Sequence, residues 1–469
     1  MTVPQSHTNG ATPTVVNGTG NTPVRSLLDT DLYKLTMQQA VLRHYPDSHV
    51  AYKFTNRSKD MRFTRQCVDR INVYIQALSD LRLTADERSW LQAKCPFLQP
   101  KYLEYLSGYR FRPSEQVKAT FVPSNDDPEA GELSLLVEGR WCEVILYEVP
   151  LMAIVSESYF ETVDQAWDLQ GQHTQAFNKA RLLCSNGIRF SEFGSRRRRS
   201  YATHKTCVQG LIAGEATALA SNPAKPGKLL GTSNVHFAHL FDLAPVGTVA
   251  HEWTMAVAAL EGYEHSNLLA QQKWDAVYSP PNFVASTPAH DLTIALTDTF
   301  STRVFFDDLL SSEAGREIAR RWRGLRQDSG DSKAFARKAV EVYEQLGVDP
   351  KRKLVMFSDS LDVDRCIDLA RYADDIGIGH GFGVGTNFTN DFRRLASPSD
   401  RCDGADVEGE PRQGEKSPAL NIVIKLDQID NRPAVKISDD LSKNCGDPDE
   451  VRMVKRRFGL EGAEQVEDA

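Results

Sequence analysis

Short apolar runs that each end in a small or polar cluster recur through the middle of this chain, and they restrict its fold more than any other sequence feature. Runs of this length predict buried strands, and helical patterns such as Ser332–Leu346 and Asp362–Ala373 lie between several of them. The alternation is typical of an α/β barrel or an open parallel sheet. The runs are Gly187–Phe190, Lys228–Leu230, Pro245–Val246, Leu292–Leu296, Leu325, Leu354–Phe357 and Ile378–Val384.

The polar clusters after these runs predict where the chemistry lies, because the carboxyl ends of barrel strands form the active site. The clusters contain Arg, Asp, His, Ser, Thr and Gly, which are the residue types that bind phosphates and ribose. One such cluster would usually be an ordinary turn, but a whole series with the same bias makes that explanation weak.

Two segments outside this region also predict strands. Glu143–Val149 is mostly apolar and β-branched or aromatic, and Pro150 then opens a helix with an apolar stripe. Leu420–Leu426 and Ala434–Ile437 flank the polar segment Asp427–Pro433, which predicts a β-hairpin.

Composition limits the partners and the compartment. The net charge of -8 gives no general attraction for nucleic acid or for an anionic membrane surface. The eight cysteines show no zinc-ligand spacing, so we expect a reduced intracellular protein that works in the cytoplasm, with the nucleus left open as a second location. We expect no signal peptide and no membrane span, since no apolar stretch approaches about 18 residues.

The run Arg196–Arg199 has two interpretations, a nucleic-acid patch or a solvated face. The acidic net charge and the absence of interleaved aromatics argue against RNA. If the run lies on a helix, at most two of the four side chains can face one ligand. We therefore expect the early arginines to reach the site and the later ones to be solvated.

Two other motifs contain groups that can bind an anion. Gly383-Val384-Gly385-Thr386-Asn387 lets backbone amides approach an anion, although it is neither a Walker loop nor a full dinucleotide fingerprint. In Arg326-Gln327-Asp328-Ser329-Gly330-Asp331, the arginine can grip a carboxylate or phosphate with two hydrogen bonds. Its carboxylates could orient ribose hydroxyls or a metal ion, and we expect Asp331 to cap the next helix instead.

His251 lies four residues after Gly247, at the end of a predicted strand and next to Glu252. A lone histidine is more often structural than catalytic. In a phosphate-rich site, however, a neutral imidazole can attack ATP and form a phosphoramidate.

Eight motifs, in order, resemble the nicotinate phosphoribosyltransferase family and most closely its fungal branch. The resemblance runs from Leu27 to about Arg456. The motifs are LLDTDLYKLTM at 27–37, FSEFGSRRRRS at 190–200, GTSN at 231–234, GTVAHEW at 247–253, LTDTFST at 296–302, RQDSGD at 326–331, FSDSLDVDR at 357–365 and GVGTNFTND at 383–391.

The resemblance implies transfer of the 5-phosphoribosyl group from 5-phosphoribosyl 1-diphosphate (PRPP) to nicotinate, which is the first step of NAD salvage from nicotinate. It implies Mg²⁺ as cofactor, ATP as co-substrate with His251 carrying its phosphoryl group, and a homodimer with shared active sites. The implied fold is an irregular (β/α) barrel of the type II phosphoribosyltransferase kind, with a smaller α+β domain built from both chain ends. The expected divisions are a disordered tail at 1–22, the small domain at 23–149, the catalytic barrel at 150–396, a flexible loop at 397–418, a hairpin returning to the small domain at 419–446, and a helix and tail at 447–469.

The family's site residues transfer to matching positions. The resemblance assigns the pyridine ring to Phe193 and to Tyr33, which would reach the site of the other subunit. Asp298 and Asp328 would face ribose or Mg²⁺. The remaining nicotinate contacts would be Thr248, Arg326 and Ser233, and the phosphate contacts Arg196, Ser358, Asp359, Gly385 and Thr386.

Specificity among pyridines is a further hypothesis. Related nicotinamide enzymes carry an Asp where this chain has Ser233, and a carboxylate there would repel nicotinate. A nicotinamide-using or quinolinate-using phosphoribosyltransferase stays an alternative at this point, as does, far more weakly, an RNA-binding protein.

Overall fold

The computed structural model describes residues 22–221, 223–279, 288–395, 415–440 and 443–461. The predicted tail, except Thr22, and most of the predicted loop at 397–418 lie outside the described residues, as does the chain end after 461. At the end of that loop, Lys416–Ser417 forms a short strand instead.

The helices of the described residues are α1 (Leu32–His44), α2 (Arg65–Ala77), α3 (Ala85–Lys94), α4 (Pro100–Gly108), α5 (Pro113–Gln116), α6 (Trp141–Val144), α7 (Glu148–Thr162), α8 (Gln172–Ser185), α9 (Tyr201–Ala220), α10 (Val235–Leu240), α11 (His251–Glu261), α12 (Ser266–Tyr278), α13 (Thr302–Leu310), α14 (Glu313–Arg321), α15 (Ser332–Gln345), α16 (Val363–Ile376), α17 (Thr386–Thr389) and α18 (Pro448–Arg457). Not one of them is both long and apolar enough to cross a membrane.

The strands of the described residues are β1 (His49–Asn56), β2 (Phe63–Thr64), β3 (Val117–Pro123), β4 (Ala130–Arg140), β5 (Arg189–Glu192), β6 (Lys228–Thr232), β7 (Ile294–Leu296), β8 (Gly324–Gln327), β9 (Leu354–Phe357), β10 (Gly379–Val384), β11 (Phe392–Arg393), β12 (Lys416–Ser417), β13 (Ile422–Ile429) and β14 (Arg432–Pro433).

Six parallel strands form the barrel wall in the order β6-β5-β10-β9-β8-β7. Six of the seven predicted runs are therefore strands. The seventh, Pro245–Val246, was predicted as a strand but makes only an isolated bridge from Pro245 to Thr232. The bridge to β6 uses Ala244 O and Val246 N, whereas Pro245 has no N–H to offer a strand on its other side.

The second sheet is antiparallel and joins both ends of the chain. Its order is β14-β13-β1-β4-β2, with β3 paired to β4. The pairing of β13 with β1 brings the late segment back to the early one, as the resemblance implied.

The predicted hairpin is shorter than expected. Strands β13 and β14 turn at Asp430 and Asn431, which both have positive φ, but pair over only two positions. Ala434–Ile437 was predicted as the second strand; it instead leaves the hairpin, and Ile437 bridges to Phe300 beside the barrel. This departure carries Lys436 towards the carboxyl ends of the barrel strands.

The predicted strand Glu143–Val149 is wrong. The segment is helical, with α6, a 3₁₀ turn at Ile145–Tyr147 and the start of α7. Nearly every residue of α7 is buried, so its apolar residues show no one-sided stripe. Periodicity cannot distinguish a short buried strand from a helix buried on all sides. Pro150 lies in the first turn of α7, where its missing N–H removes no helical bond.

Candidate active site

One cavity of about 1260 Å³ lies at the carboxyl ends of the barrel strands and against the small domain. Most of the predicted site residues line it, so the polar strand ends lie around one cavity. The predicted residues in its wall are Tyr33, Phe193, Arg196, Thr248, His251, Arg326, Asp328, Ser358, Asp359, Gly385 and Thr386. Asp298 lies behind the wall beside His251, and Ser233 is buried elsewhere.

His251 opens helix α11 and is held from both edges of its ring. Its Nδ1 lies 3.1 Å from Thr299 Oγ1, and its Nε2 lies 3.1 Å from Asp328 Oδ2 and 3.0 Å from Lys436 Nζ. Burial and then the Lys436 ammonium lower the pKa of His251, so the neutral imidazole is favoured. The amino end of α11 adds a partial positive charge that favours an anion at the same point.

Asp298 and Asp328 form the acidic side of this cluster. Burial alone would raise the pKa of Asp298, but His251 and Lys436 outweigh it and the net shift is downward. Asp328 Oδ1 accepts from Ser358 Oγ at 2.7 Å and from Arg326 at 3.1 Å, whereas the buried Asp298 Oδ1 has no hydrogen-bond partner among the described residues. A hard cation prefers such carboxylate oxygens, so the pair fits Mg²⁺.

Arg326 is locked in place at the end of β8. Its Nε donates to Ser358 Oγ at 3.0 Å and its Nη2 to Asp328 Oδ1 at 3.1 Å. Its side chain nevertheless stays 23% exposed to the cavity. The guanidinium is therefore oriented in advance and still open to an anionic ligand. Asp331, as expected, caps α15 by accepting from the backbone of Lys333 and Ala334.

Phe193 and Tyr33, the two aromatic residues expected to hold the pyridine ring, lie on different parts of the fold. Phe193 follows β5, and its ring lies against Gly383, where an added Cβ would come within 3.3 Å of Cδ2. Tyr33, on α1, donates to Glu148 at 3.3 Å. Glu148 is also 2.5 Å from the buried Lys34 and 3.4 Å from Arg196. These bonds fix α1 against the barrel.

The arginine run differs from the prediction after its first two members. Arg196 and Arg197 line the cavity, but Arg198 and Arg199 are fully buried rather than solvated. Arg198 makes two 2.8 Å bonds to Asp29. The run is a 3₁₀ turn followed by extended chain, not an α-helix, so the later side chains turn inwards.

Sequence reasoning missed the cations that the small domain contributes. Arg57 on the segment after β1, Lys425 on β13, and Lys436 and Lys443 on the returning chain all line the cavity. Lys443 pairs with Asp359 at 2.7 Å. A signal is present, because the segment 425–443 carries three lysines, but the hairpin prediction gives this segment only a structural role.

Comparison with known proteins decides the family. The nicotinate phosphoribosyltransferase family model matches residues 188–462, and the model of that family's N-terminal domain matches residues 28–156. Nicotinate phosphoribosyltransferase from Saccharomyces cerevisiae is 40% identical over 93% of this chain and 95% of its own length. The enzyme of that name from Methanosarcina mazei is 36% identical over 94% of this chain and its whole length. The chain belongs to the nicotinate phosphoribosyltransferase family.

Solved structures agree with this assignment. A Saccharomyces cerevisiae chain has a TM-score of 0.82 at 38% identity and covers 94% of this chain, with 99% of its own length covered. Nicotinate phosphoribosyltransferase from Porphyromonas gingivalis has a TM-score of 0.76 at 32% identity, with coverages of 93% and 100%. The predicted fold class, the family and the transfer of phosphoribosyl to nicotinate are confirmed.

The positions of Tyr33 and Ser233 bear on how this enzyme would bind nicotinate. Tyr33 lines the cavity of its own chain, where the resemblance implied a tyrosine from a second subunit. Ser233 is fully buried, and its hydroxyl donates to Asp31 at 2.7 Å. Its predicted contact with nicotinate is thus not made through the cavity wall, and its role in specificity stays a prediction.

Ser233→Asp should destabilise the enzyme, because a second carboxylate would be buried against Asp31 with no cation of its own. Ser233→Ala, the matched control, should cost only about 1 kcal/mol for the lost hydrogen bond. Thermal denaturation of both variants measures the difference. If Ser233→Asp folds normally and leaves the nicotinate-to-nicotinamide rate ratio unchanged, the specificity hypothesis is wrong.

Proposed function

We propose that this nicotinate phosphoribosyltransferase couples transfer to ATP through a phosphohistidine at His251. The supporting observation is the neutral, oriented imidazole beside Lys436 at the amino end of α11. In the tautomer whose Nδ1–H donates to Thr299, Nε2 keeps its lone pair and accepts from the Lys436 ammonium at 3.0 Å, while the Asp328 carboxylate lies 3.1 Å from the same nitrogen. That nitrogen attacks the γ-phosphorus of ATP, a P–N bond forms, and the bond to the departing ADP oxygen breaks. Water later cleaves the P–N bond and releases phosphate.

The phosphoribosyl step depends on charge placement. As diphosphate leaves the anomeric carbon of PRPP, positive charge develops on the ribose and negative charge on the leaving group. Arg57, Arg197 and Lys425 line the cavity and have no carboxylate partner within 4 Å among the described residues. Burial lowers the pKa of Arg197 to about 10, with neighbouring Arg196 and Arg57 adding to the shift. Such a cationic wall is suited to the diphosphate.

The remaining residues position the reactants. Arg326 would hold the nicotinate carboxylate, and Tyr33 and Phe193 would hold its ring, so that the ring nitrogen faces the anomeric carbon. Ser358, Gly385 and Thr386 would bind the 5-phosphate. Mg²⁺, when bound, would neutralise charge on the diphosphate, and Asp298 and Asp328 would hold it.

The coupling of ATP hydrolysis to phosphoribosyl transfer is tested by measuring how much ADP and nicotinate mononucleotide form. Purified enzyme given nicotinate, PRPP and ATP should form ADP together with nicotinate mononucleotide, and omission of ATP should lower the yield at equilibrium. Equal equilibrium yields with and without ATP would contradict the proposal.

Lys436→Met should reduce phosphoryl transfer from ATP by about tenfold or more, since a charge-assisted contact to the phosphate is worth about 1.5–3 kcal/mol. Rapid-quench measurement of labelled enzyme checks this. Lys436→Arg should recover part of the rate because it keeps the charge, and Lys205→Met, which removes an exposed lysine on α9, is the matched control. A wild-type labelling rate in Lys436→Met would remove Lys436 from the proposal.

A homodimer and a cytoplasmic location are further proposals from the family resemblance. Tyr33 lines the cavity of its own chain, and its contact with a partner's site stays a prediction. Sedimentation equilibrium would distinguish a 52.4 kDa monomer from a particle of twice that mass.

A further inference from the structure

A buried lysine lies between Tyr33 and the helix that carries His251. Lys34 follows Tyr33 on α1, and its side chain has no exposed surface. Its Nζ is 2.5 Å from Glu148 Oε2 on α7 and 2.5 Å from Glu252 Oε2 on α11. One ammonium therefore bridges two carboxylates from different helices, and the proposed chemistry uses none of the three groups.

Both carboxylates belong to the cavity wall. Glu148 and Glu252 line the cavity with Tyr33, and 10% and 8% of their side-chain surfaces are exposed. Glu252 is also held from its other side, since its Oε1 accepts from Tyr52 at 2.6 Å and from Trp141 at 2.7 Å. Without a cation, two carboxylates at this position would repel an anion that enters the pocket.

The lysine is charged, and so is Glu148. Burial alone would lower the pKa of Lys34, but Glu148 and then Glu252 outweigh it and the net shift is upward. Burial alone would raise the pKa of Glu148, but Lys34 and then Arg196 outweigh it and the net shift is downward. The bridge is thus an ion cluster at neutral pH, and buried charges are screened far less than charges on the surface.

The lysine is near enough to act on a bound ring. Its Nζ lies 5.5 Å from the centre of the Tyr33 ring. The ring of a planar ligand stacked on Tyr33 at about 3.5 Å is then within about 10 Å of the ammonium. Arg196 lies 3.4 Å from Glu148 and keeps 44% of its side chain exposed. With Lys34 in place, an anion in the pocket therefore meets an exposed guanidinium and a neutralised acidic wall.

We propose that Lys34 sets the charge preference of the nicotinate pocket: it neutralises Glu148 and Glu252, so that the pocket takes an anionic pyridine in preference to a neutral one. Lys34 is a positioning residue, because it acts through these carboxylates and does not touch the substrate. This role is separate from the Ser233 hypothesis, since Ser233 is buried away from the cavity. It rests on the proposed placement of nicotinate beside Tyr33 and is independent of the phosphoryl step.

Two unreactive ligands of the same shape, benzoate and benzamide, test the proposal as competitors of nicotinate. Neither has a ring nitrogen, so neither accepts the phosphoribosyl group, and they differ by one charge. Initial rates of nicotinate mononucleotide formation are measured at saturating PRPP and without ATP, so that phosphorylation of His251 does not enter. The quantity compared is the inhibition constant of benzamide divided by that of benzoate.

Lys34→Met should lower this ratio by about tenfold or more, which is the effect of one unit charge about 10 Å away at an effective dielectric constant of about 20. Glu252→Gln should raise the ratio, because it removes a negative charge and keeps the shape. The double variant Lys34→Met/Glu252→Gln should return towards the wild-type ratio, since it removes one charge of each sign. Arg43→Met removes an exposed cation from the same helix and, as the matched control, should keep the wild-type ratio.

The opposite signs separate electrostatics from lost packing, which would weaken both ligands alike. An unchanged ratio in Lys34→Met overturns the proposal, and so do shifts of the same sign in Lys34→Met and Glu252→Gln. Thermal denaturation shows which variants fold. If Lys34→Met does not fold, Glu252→Gln decides alone, and a ratio at or below the wild-type value overturns the proposal.

The placement of nicotinate is tested separately by Tyr33→Leu, which should weaken benzoate and benzamide together. If it weakens neither, the placement is wrong and the role of Lys34 falls with it. If it weakens both while Lys34→Met keeps the wild-type ratio, the placement stands and only the role of Lys34 is wrong.

Discussion

His251→Ala should lose all acid-labile phosphoryl label from γ-labelled ATP. Its imidazole is the only histidine ring among the described residues that is placed beside both Asp298 and Asp328. ADP formation coupled to transfer should cease with the label, because His251 supplies the imidazole of that cluster. Phosphohistidine is also base-stable, so alkaline and acid quenching of the wild type provide the chemical signature.

Transfer itself should continue in this variant without ATP. The ring nitrogen of nicotinate needs no deprotonation, so His251 is not required as a base. We expect the ATP-independent rate to stay within about tenfold of the wild type, which corresponds to about 1.4 kcal/mol of barrier. His173→Ala, which removes an exposed histidine on α8, is the matched control and should label normally.

Two outcomes would contradict the role of His251. One is equal labelling of His251→Ala and wild type. The other is loss of the folded state in His251→Ala, seen by circular dichroism, which would make this histidine structural.

Arg198→Ala should destabilise the fold by about 3–5 kcal/mol, the cost of leaving one partner of a buried ion pair unpaired. Arg198 makes both of its 2.8 Å bonds to Asp29, and neither side chain is accessible to solvent beyond 1%. Asp29 in turn accepts from Asn234, so the loss would loosen the junction of the N-terminal segment with the barrel. Urea denaturation measures the change, and Arg371→Ala, on the exposed side of α16, is the control.

The effect of this substitution should depend on pH. Burial would raise the pKa of Asp29, but Arg198 outweighs burial and lowers it from 3.8 to about 2. A lowered pKa in the folded state stabilises the protein above pH 3.8, and that stabilisation is lost as the pH falls towards 2. The difference between wild type and Arg198→Ala should therefore shrink below pH 3.8. The double variant Asp29→Leu/Arg198→Met should recover stability relative to Arg198→Ala. A difference that stays constant down to pH 2 would rule out this ion pair as its cause.

The sequence correctly predicted several cavity residues that follow strands, although Ser233, which also follows a predicted strand, is buried away from the cavity. Arg326, Asp328 and Ser358 each come directly after a predicted run, and parallel strands bring such positions to one edge of the sheet. The same reasoning failed for α7, where apolar residues on every face conceal the helical period. It also failed for Arg198 and Arg199, because local sequence does not reveal which charges find buried partners.

The pattern of neighbouring residues along the chain therefore determined the barrel and its series of strands. It also determined which residue types follow those strands, including His251. Only the tertiary structure decided what surrounds that histidine. Lys436 comes within 3.0 Å of it from 185 residues away, and Tyr33 lines the cavity of its own chain. The physical reason is that strand and helix patterns depend on neighbouring residues, whereas charge pairing and empty volume depend on segments that meet only when the chain is folded.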